Sequence, residues 1–246
     1  MVMVTVGTFI AGRYVFKDGF KDVGWIWGKP IHYILSFATA FLLFGIPMLI
    51  NIFQGSAALL PNFTWTQYIL LMGGYTLAVI VPAFGEEFGF RGYLLPHLSR
   101  RYTPRKAVII NSLIWWFWHQ PVAVGGAIFA MNLLGADSSL MLLVVIWTFL
   151  DSFLNCFFDG PIFSYIWAKS NIIAVVTFFH AAYDGVRNSS LMVTGTFPLY
   201  GVWNTIFTVL LGLILLWKGD WKSLEKFRTP DQEISIEIAD ESGGIQ

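Results

Sequence analysis

The chain has 246 residues, and its 15 Lys and Arg residues balance its 15 Asp and Glu residues. Hydrophobic residues make up 56% of it and charged residues only 12%, whereas about 25% of an average soluble chain is charged. So few charges cannot cover a soluble domain of this size, and we expect lipid to cover much of its surface. The zero net charge gives no reason to expect nucleic-acid binding, and the single cysteine excludes an internal disulfide.

Six apolar segments, taken in chain order, have the length of a bilayer-spanning helix, about 17–25 residues. They lie at residues 31–53, about 67–96, 106–123, 140–158, about 163–184 and about 199–217. The sequence therefore predicts an all-α fold, a polytopic membrane helix bundle with about six transmembrane helices.

The predicted spans divide the chain into three parts. Residues 1–30 form an N-terminal segment, in which residues 1–12 could be a helix stub that is too short to cross a bilayer alone. Residues 31–217 form the transmembrane domain, and residues 218–246 form a polar tail that becomes acidic toward its end.

Lysine and arginine residues are unevenly placed between the predicted spans. They concentrate in residues 1–30, in the loop between the second and third spans, at Lys169 and in the tail, whereas loops 54–66 and 124–139 have none. Under the positive-inside rule, both termini are predicted to face the cytoplasm. We thus expect an integral membrane protein surrounded by the lipid bilayer.

Several ionisable side chains fall inside the predicted spans, where each needs a partner or a function because burying a charge in lipid is unfavourable. They are Glu86, Glu87, Arg91, His119, Asp151, His180 and Asp184. Glu86, His119 and His180 each lie roughly 17–21 Å from the nearest basic residue on the cytoplasmic side, at 1.5 Å per helical residue. Three spans therefore bring ionisable groups to one depth, which predicts a buried site.

Helical spacing separates the two adjacent glutamates. Glu87 and Arg91 are i,i+4 with the glutamate first, so we expect them to neutralise each other and to have a mainly structural role. Glu86 points about 100° away from Glu87 around the helix, which leaves its carboxylate unpaired and suited to act as a general base. His180 and Asp184 are also i,i+4, so the Asp184 carboxylate can orient the imidazole and favour its protonated form.

A polar stripe follows one face of the fourth predicted span. Asp151, Asn155 and Asp159 are spaced at i, i+4 and i+8. Such residues usually form hydrogen bonds between helices, which is the interpretation that we favour. The alternative is that the stripe lines a path for substrate or water.

Three short motifs occur in order on separate spans. The first, E-E-x-x-x-R, begins at Glu86; the second, F-x-x-x-H, ends at His119 with Trp115 in place of phenylalanine; the third, H-x-x-x-N or D, runs from His180 to Asp184. Together they resemble the type II CAAX prenyl protease family, whose wider clan includes bacteriocin-immunity and Abi proteins.

The resemblance covers about residues 17–185 and implies a glutamate-dependent intramembrane endopeptidase with an all-helical fold. Its substrate would be a membrane-anchored peptide or protein, such as a CAAX tail with a lipidated cysteine. Carried over to this sequence, Glu86 and His119 would activate the hydrolytic water, and His180 and Asp184 would stabilise the oxyanion. Because an ionised Asp184 cannot donate a hydrogen bond as asparagine can, we assign it to support a charged His180.

Two other classes of function use the same residue types. Glu86, His119 and His180 could bind Zn²⁺ in a zinc-dependent membrane hydrolase, although the sequence has no H-E-x-x-H motif and we expect no cofactor. Buried Glu, His and Asp residues also form proton relays in transporters, but we find no inverted repeat. A non-catalytic immunity-type protein is the remaining alternative.

Overall fold

The computed structural model describes residues 2–194 and 201–228, and nearly all of them are helical. The helices, numbered along the chain, are α1 (Val2–Val15), α2 (Pro30–Phe53), α3 (Trp65–Arg101), α4 (Pro104–Leu133), α5 (Ser138–Ser170), α6 (Ile173–Ser189) and α7 (Gly201–Lys218). Short 3-10 turns lie at Lys21–Val23, Ser190–Met192 and Lys222–Phe227. Strands β1 (Ala58–Leu59) and β2 (Val193–Thr194) pair antiparallel, with Ala58 opposite Thr194.

Helices α2, α3 and α5 are long and apolar enough to cross a membrane. Helix α4 has 30 residues, but Trp, His, Gln and Asn residues are interspersed among its apolar ones. Helix α6 has only 17 residues, and the apolar part of α7, Val202–Lys218, also has 17. The predicted count of about six spans is therefore not confirmed. The start of the sixth predicted span at 199–200 and the tail beyond 228 lie outside the described residues.

The predicted boundary between the fourth and fifth spans is wrong. Helix α5 continues from Ser138 to Ser170, and a new helix begins at Ile173. The chain turns at Asn171, which adopts a left-handed conformation with φ 52, as asparagine does more readily than most residues. The helix passes through Asp159-Gly160-Pro161, which lie between the two predicted spans.

Turns of π-helix precede three of the prolines that lie inside long helices. Within α2, α3 and α5, π-type turns at Phe41–Gly45, Phe88–Leu94 and Phe153–Phe157 lie shortly before Pro47, Pro96 and Pro161 respectively. Proline lacks an N–H and crowds the carbonyl four residues earlier, so a locally wider turn removes the conflict. The π-type turn of α3 also begins directly after Glu87.

Helix α6 lies at the centre of the described structure and packs against α2, α3 and α5. Residues on different faces of it, including Val176, Ala181 and Ala182, are fully buried. At Gly185 a Cβ atom would lie only 2.1 Å from Thr76 Oγ1 of α3, so the two helices approach closely. This contact brings the histidine of α6 beside the two glutamates of α3.

Basic residues gather at one end of the bundle. Arg105 donates hydrogen bonds to the carbonyl oxygens of Leu216 and Trp217 at the end of α7, both at 2.9 Å. Lys226 bonds Asn171 Oδ1 at 2.7 Å, at the turn between α5 and α6. The ends of α3, α5 and α7 and the starts of α4 and α6 therefore share one side, referred to below as the basic end.

Candidate active site

The Glu86 carboxylate is fully buried where α3 faces α4. Its Oε2 atom accepts a hydrogen bond from Trp115 Nε1 at 3.1 Å. Its Oε1 atom has no hydrogen-bond partner. One oxygen is thus held in place by the protein, while the other is a buried acceptor without a hydrogen-bond partner.

The His119 imidazole lies beside this carboxylate. Its Nδ1 atom is 2.8 Å from the carbonyl oxygen of Trp115. A carbonyl oxygen can only accept, so Nδ1 carries the proton and donates it to that bond. The Nε2 atom then faces Glu86 Oε2 at 3.6 Å, too far for a direct hydrogen bond. A water touching both groups could exchange protons with either.

Glu87 connects α3 to α6. Its Oε1 atom accepts from Arg91 Nη1 at 3.2 Å, so the predicted i,i+4 pair is present. The same oxygen lies 2.7 Å from His180 Nδ1, which sequence spacing did not reveal. The Arg91 guanidinium also contacts two neighbouring aromatic rings, 4.3 Å from the Trp115 centroid and 4.8 Å from that of Phe163.

The surroundings of His180 differ from the prediction that Asp184 orients it. Because a carboxylate accepts, the Nδ1 atom of His180 donates to Glu87, and Nε2 remains the nitrogen for a substrate. Asp184 Oδ2 lies 3.8 Å from that Nε2 atom, which is beyond hydrogen-bond distance. Asp184 Oδ1 instead pairs with Arg187 Nη2 at 2.7 Å. Glu87 is therefore the closer carboxylate partner of His180.

The four side chains to which the sequence assigns catalytic roles line one cavity of about 360 Å³. They are Glu86, His119, His180 and Asp184. Glu87 and Arg91 lie behind this wall and are fully buried. The structure thus places a carboxylate and two imidazoles from three helices around a common space, which is what matched depth along those helices predicts.

The cavity extends in one direction from this level. Along α5 its lining runs from Phe163 to Thr148, and along α6 it runs from His180 to Arg187. Both series lead away from the ends at Ser170 and Ile173, which belong to the basic end. The cavity therefore reaches toward the opposite end of the bundle.

The polar stripe on α5 makes a hydrogen bond between helices and also lines the cavity. Asn155 Oδ1 accepts a hydrogen bond from Thr205 Oγ1 of α7 at 3.2 Å, so the stripe does join helices. Asp151, Asn155 and Asp159 also line the cavity. Asp159 is buried and accepts a hydrogen bond from the Tyr183 hydroxyl.

Two site residues were missed as functional groups. Trp115 donates the hydrogen bond to Glu86. The sequence pointed to such a contact, because an indole N–H inside a membrane span needs an acceptor. Arg187 pairs with Asp184 at i,i+3, a spacing that the sequence also contained.

The donor atoms show no arrangement typical of a metal centre. Among residues 2–194 and 201–228, no three His, Cys, Asp or Glu side chains are grouped to hold a metal ion. The zinc hypothesis gains no support from this geometry, and chelation tests it directly.

Comparison with known proteins gives one match. Neither the curated proteins nor the solved structures contain a protein that this chain matches. A protein-family model described as type II CAAX prenyl endopeptidase Rce1-like matches residues 68–186, a segment that includes every side chain of the candidate site named above except Arg187 and Thr205. Over this segment, the chain is similar to the Rce1-like type II CAAX prenyl endopeptidase family.

Proposed function

We propose that the protein is an intramembrane endopeptidase that hydrolyses a peptide bond in a membrane-anchored substrate. The observation that carries this proposal is the placement of Glu86, His119 and His180, from three helices, around one cavity. The similarity of residues 68–186 to the Rce1-like family supports a hydrolase of this kind. Lipid surrounds the apolar helices, and nucleic acid has no part in the proposal.

In the proposed reaction, Glu86 is the general base for a water molecule. Its unpartnered Oε1 atom takes a proton as the water oxygen attacks the scissile carbonyl carbon. His119 Nε2, which faces the same carboxylate, assists this proton transfer. The proton then passes to the amide nitrogen as the C–N bond breaks, which leaves one new carboxylate and one amine.

His180 is proposed to stabilise the oxyanion of the tetrahedral intermediate. Its Nδ1 atom is held by Glu87, so a protonated imidazole can donate from Nε2 to the oxyanion. Asp184 adds a second carboxylate 3.8 Å from that nitrogen. Glu87 and Arg91 hold the His180 imidazole in position from behind the cavity wall.

The first substrates to test are lipidated CAAX-type tails, which the family description suggests. Both termini are proposed to face the cytoplasm because the basic end carries most of the lysines and arginines. In that orientation the cavity reaches from the proposed catalytic residues toward the outer leaflet. Unlipidated membrane peptides should therefore be tested together with the lipidated tails.

A cleavage assay tests the proposal. The full chain in lipid nanodiscs would be incubated with lipidated and unlipidated peptides, and products would be identified by mass spectrometry. We expect the wild type to cleave at least one peptide and Glu86→Gln to cleave none. Glu225→Gln makes the same chemical change at an exposed position near the basic end and should retain full activity. Wild-type rates in the Glu86→Gln variant would rule out the assignment.

A further inference from the structure

Asp159 is a buried carboxylate that the proposed hydrolysis does not use. It is only 2% exposed and lines the cavity. Its Oδ2 atom accepts from the Tyr183 hydroxyl, while its Oδ1 atom has no hydrogen-bond partner. A carboxylate oxygen buried among membrane helices without a hydrogen bond is unfavourable unless a ligand donates one to it.

The position of Asp159 is next to the catalytic groups. It precedes Phe163 by one helical turn, and the Phe163 ring lies 5.1 Å from the His180 ring. Its partner Tyr183 follows His180 by three residues on α6. A side chain of the substrate residue beside the scissile bond could therefore reach Asp159.

The charges that line the cavity favour a cation there. Carboxylates of Glu86, Asp151 and Asp184 accompany Asp159 in the lining. Arg187, paired with Asp184 at 2.7 Å, and the proposed His180 imidazolium also line the cavity, but the four carboxylates outnumber these two cations. The cavity is therefore rich in hydrogen-bond acceptors, which match the ammonium or guanidinium group of a basic side chain.

We propose that Asp159 binds a lysine or arginine side chain of the substrate and so directs cleavage to a bond beside a basic residue. This inference rests on the proposed endopeptidase function. In it, the Oδ1 atom of Asp159 accepts the hydrogen bond of the substrate cation, and Tyr183 holds the carboxylate in place. Asp159 is a specificity residue here and takes no part in bond breaking.

Matched peptides provide the test. A single arginine would be moved through successive positions of one lipid-anchored apolar peptide, and each version would be paired with its citrulline counterpart, which has nearly the same shape without the charge. For wild type we expect kcat/KM to be about 30-fold or more higher for arginine at one position. In Asp159→Asn, which keeps an acceptor for Tyr183, this preference should disappear while citrulline cleavage changes little. Asp151→Asn, another cavity carboxylate, should keep the preference.

Equilibrium binding of the same peptide pairs to wild type and Asp159→Asn separates the two proposals. Cleavage without any arginine preference would overturn the role of Asp159 and leave the endopeptidase function intact. Preferential, Asp159-dependent binding of an arginine peptide without cleavage of any peptide would support the cation site and reject the endopeptidase. Equal binding of both peptides, with or without cleavage, would contradict the cation site. Thermal unfolding checks that Asp159→Asn is folded.

Discussion

Glu87 Oε1 and His180 Nδ1 lie 2.7 Å apart and join α3 to α6 through a buried hydrogen bond. The same oxygen also accepts from Arg91, so one carboxylate orients the histidine and neutralises the guanidinium. Helical spacing predicted a mainly structural role for Glu87. Its carboxylate also positions His180.

Glu87→Gln should lower both stability and activity. The substitution leaves the fully buried Arg91 without its carboxylate, and breaking a buried pair typically costs about 3–5 kcal/mol. Thermal unfolding in nanodiscs would measure the first effect and peptide cleavage the second. An inactive variant with wild-type stability would show that Glu87 takes part in the chemistry itself, and Glu225→Gln serves as the control.

Trp115→Phe should reduce activity with a smaller effect on stability. Phenylalanine keeps a ring against Arg91 but removes the N–H that holds Glu86 Oε2. A hydrogen bond to a charged group contributes about 1.5–3 kcal/mol, so we expect kcat/KM to fall roughly 10- to 100-fold. Trp118→Phe, a more exposed neighbour on the same helix, should have little effect. Unchanged cleavage by Trp115→Phe would mean that Glu86 needs no such support.

Asp184→Asn should retain appreciable activity. Glu87, not Asp184, makes the close contact with His180, and asparagine can still accept a hydrogen bond from Arg187. Cleavage rates for wild type and the variant decide the question. Complete loss of activity would demonstrate that the negative charge 3.8 Å from His180 Nε2 is indispensable.

Removal of metal ions should leave activity unchanged, because the proposed chemistry uses protein groups and water alone. The protein would be treated with EDTA and 1,10-phenanthroline, freed of chelator and assayed, with its metal content measured by mass spectrometry. Loss of activity that added Zn²⁺ restores would favour the zinc-dependent hydrolase.

Acid should weaken the contact between the N-terminal segment and α3. Partial burial tends to raise the pKa of Asp18, but hydrogen bonds from His97 and Tyr93 outweigh it and hold that pKa below its usual range. Asp18 therefore stabilises the folded protein above its ordinary pKa of about 3.9, and this contribution disappears as pH falls through the lower folded value. Thermal unfolding of wild type and Asp18→Asn should differ at pH 6 and converge in strong acid. A constant difference would contradict this assignment.

Matched depth along helices was enough to predict that Glu86, His119 and His180 meet, because helical rise is nearly constant and lipid penalises isolated charges. The i,i+4 pairing of Glu87 with Arg91 was predictable for the same local reason. Contacts between helices were not predictable in this way, since the hydrogen bond from His180 to Glu87 depends on how closely α3 and α6 approach each other. The close approach at Gly185 has no signal in hydropathy.

Helix boundaries were predicted less well than the site. Helix α5 ends at the left-handed residue Asn171, later than the predicted end of the fourth span at residue 158, since a π-type turn lets the helix continue through Pro161. Hydropathy also describes α6 poorly, because protein rather than lipid covers most of this helix.

The glycine at position 185 has a mechanical consequence. Because no side chain fits between it and Thr76, any larger residue at position 185 would push α3 and α6 apart, and with them Glu86, Glu87 and His180. The spacing of the groups proposed to act in hydrolysis therefore depends on a residue that has no side chain of its own.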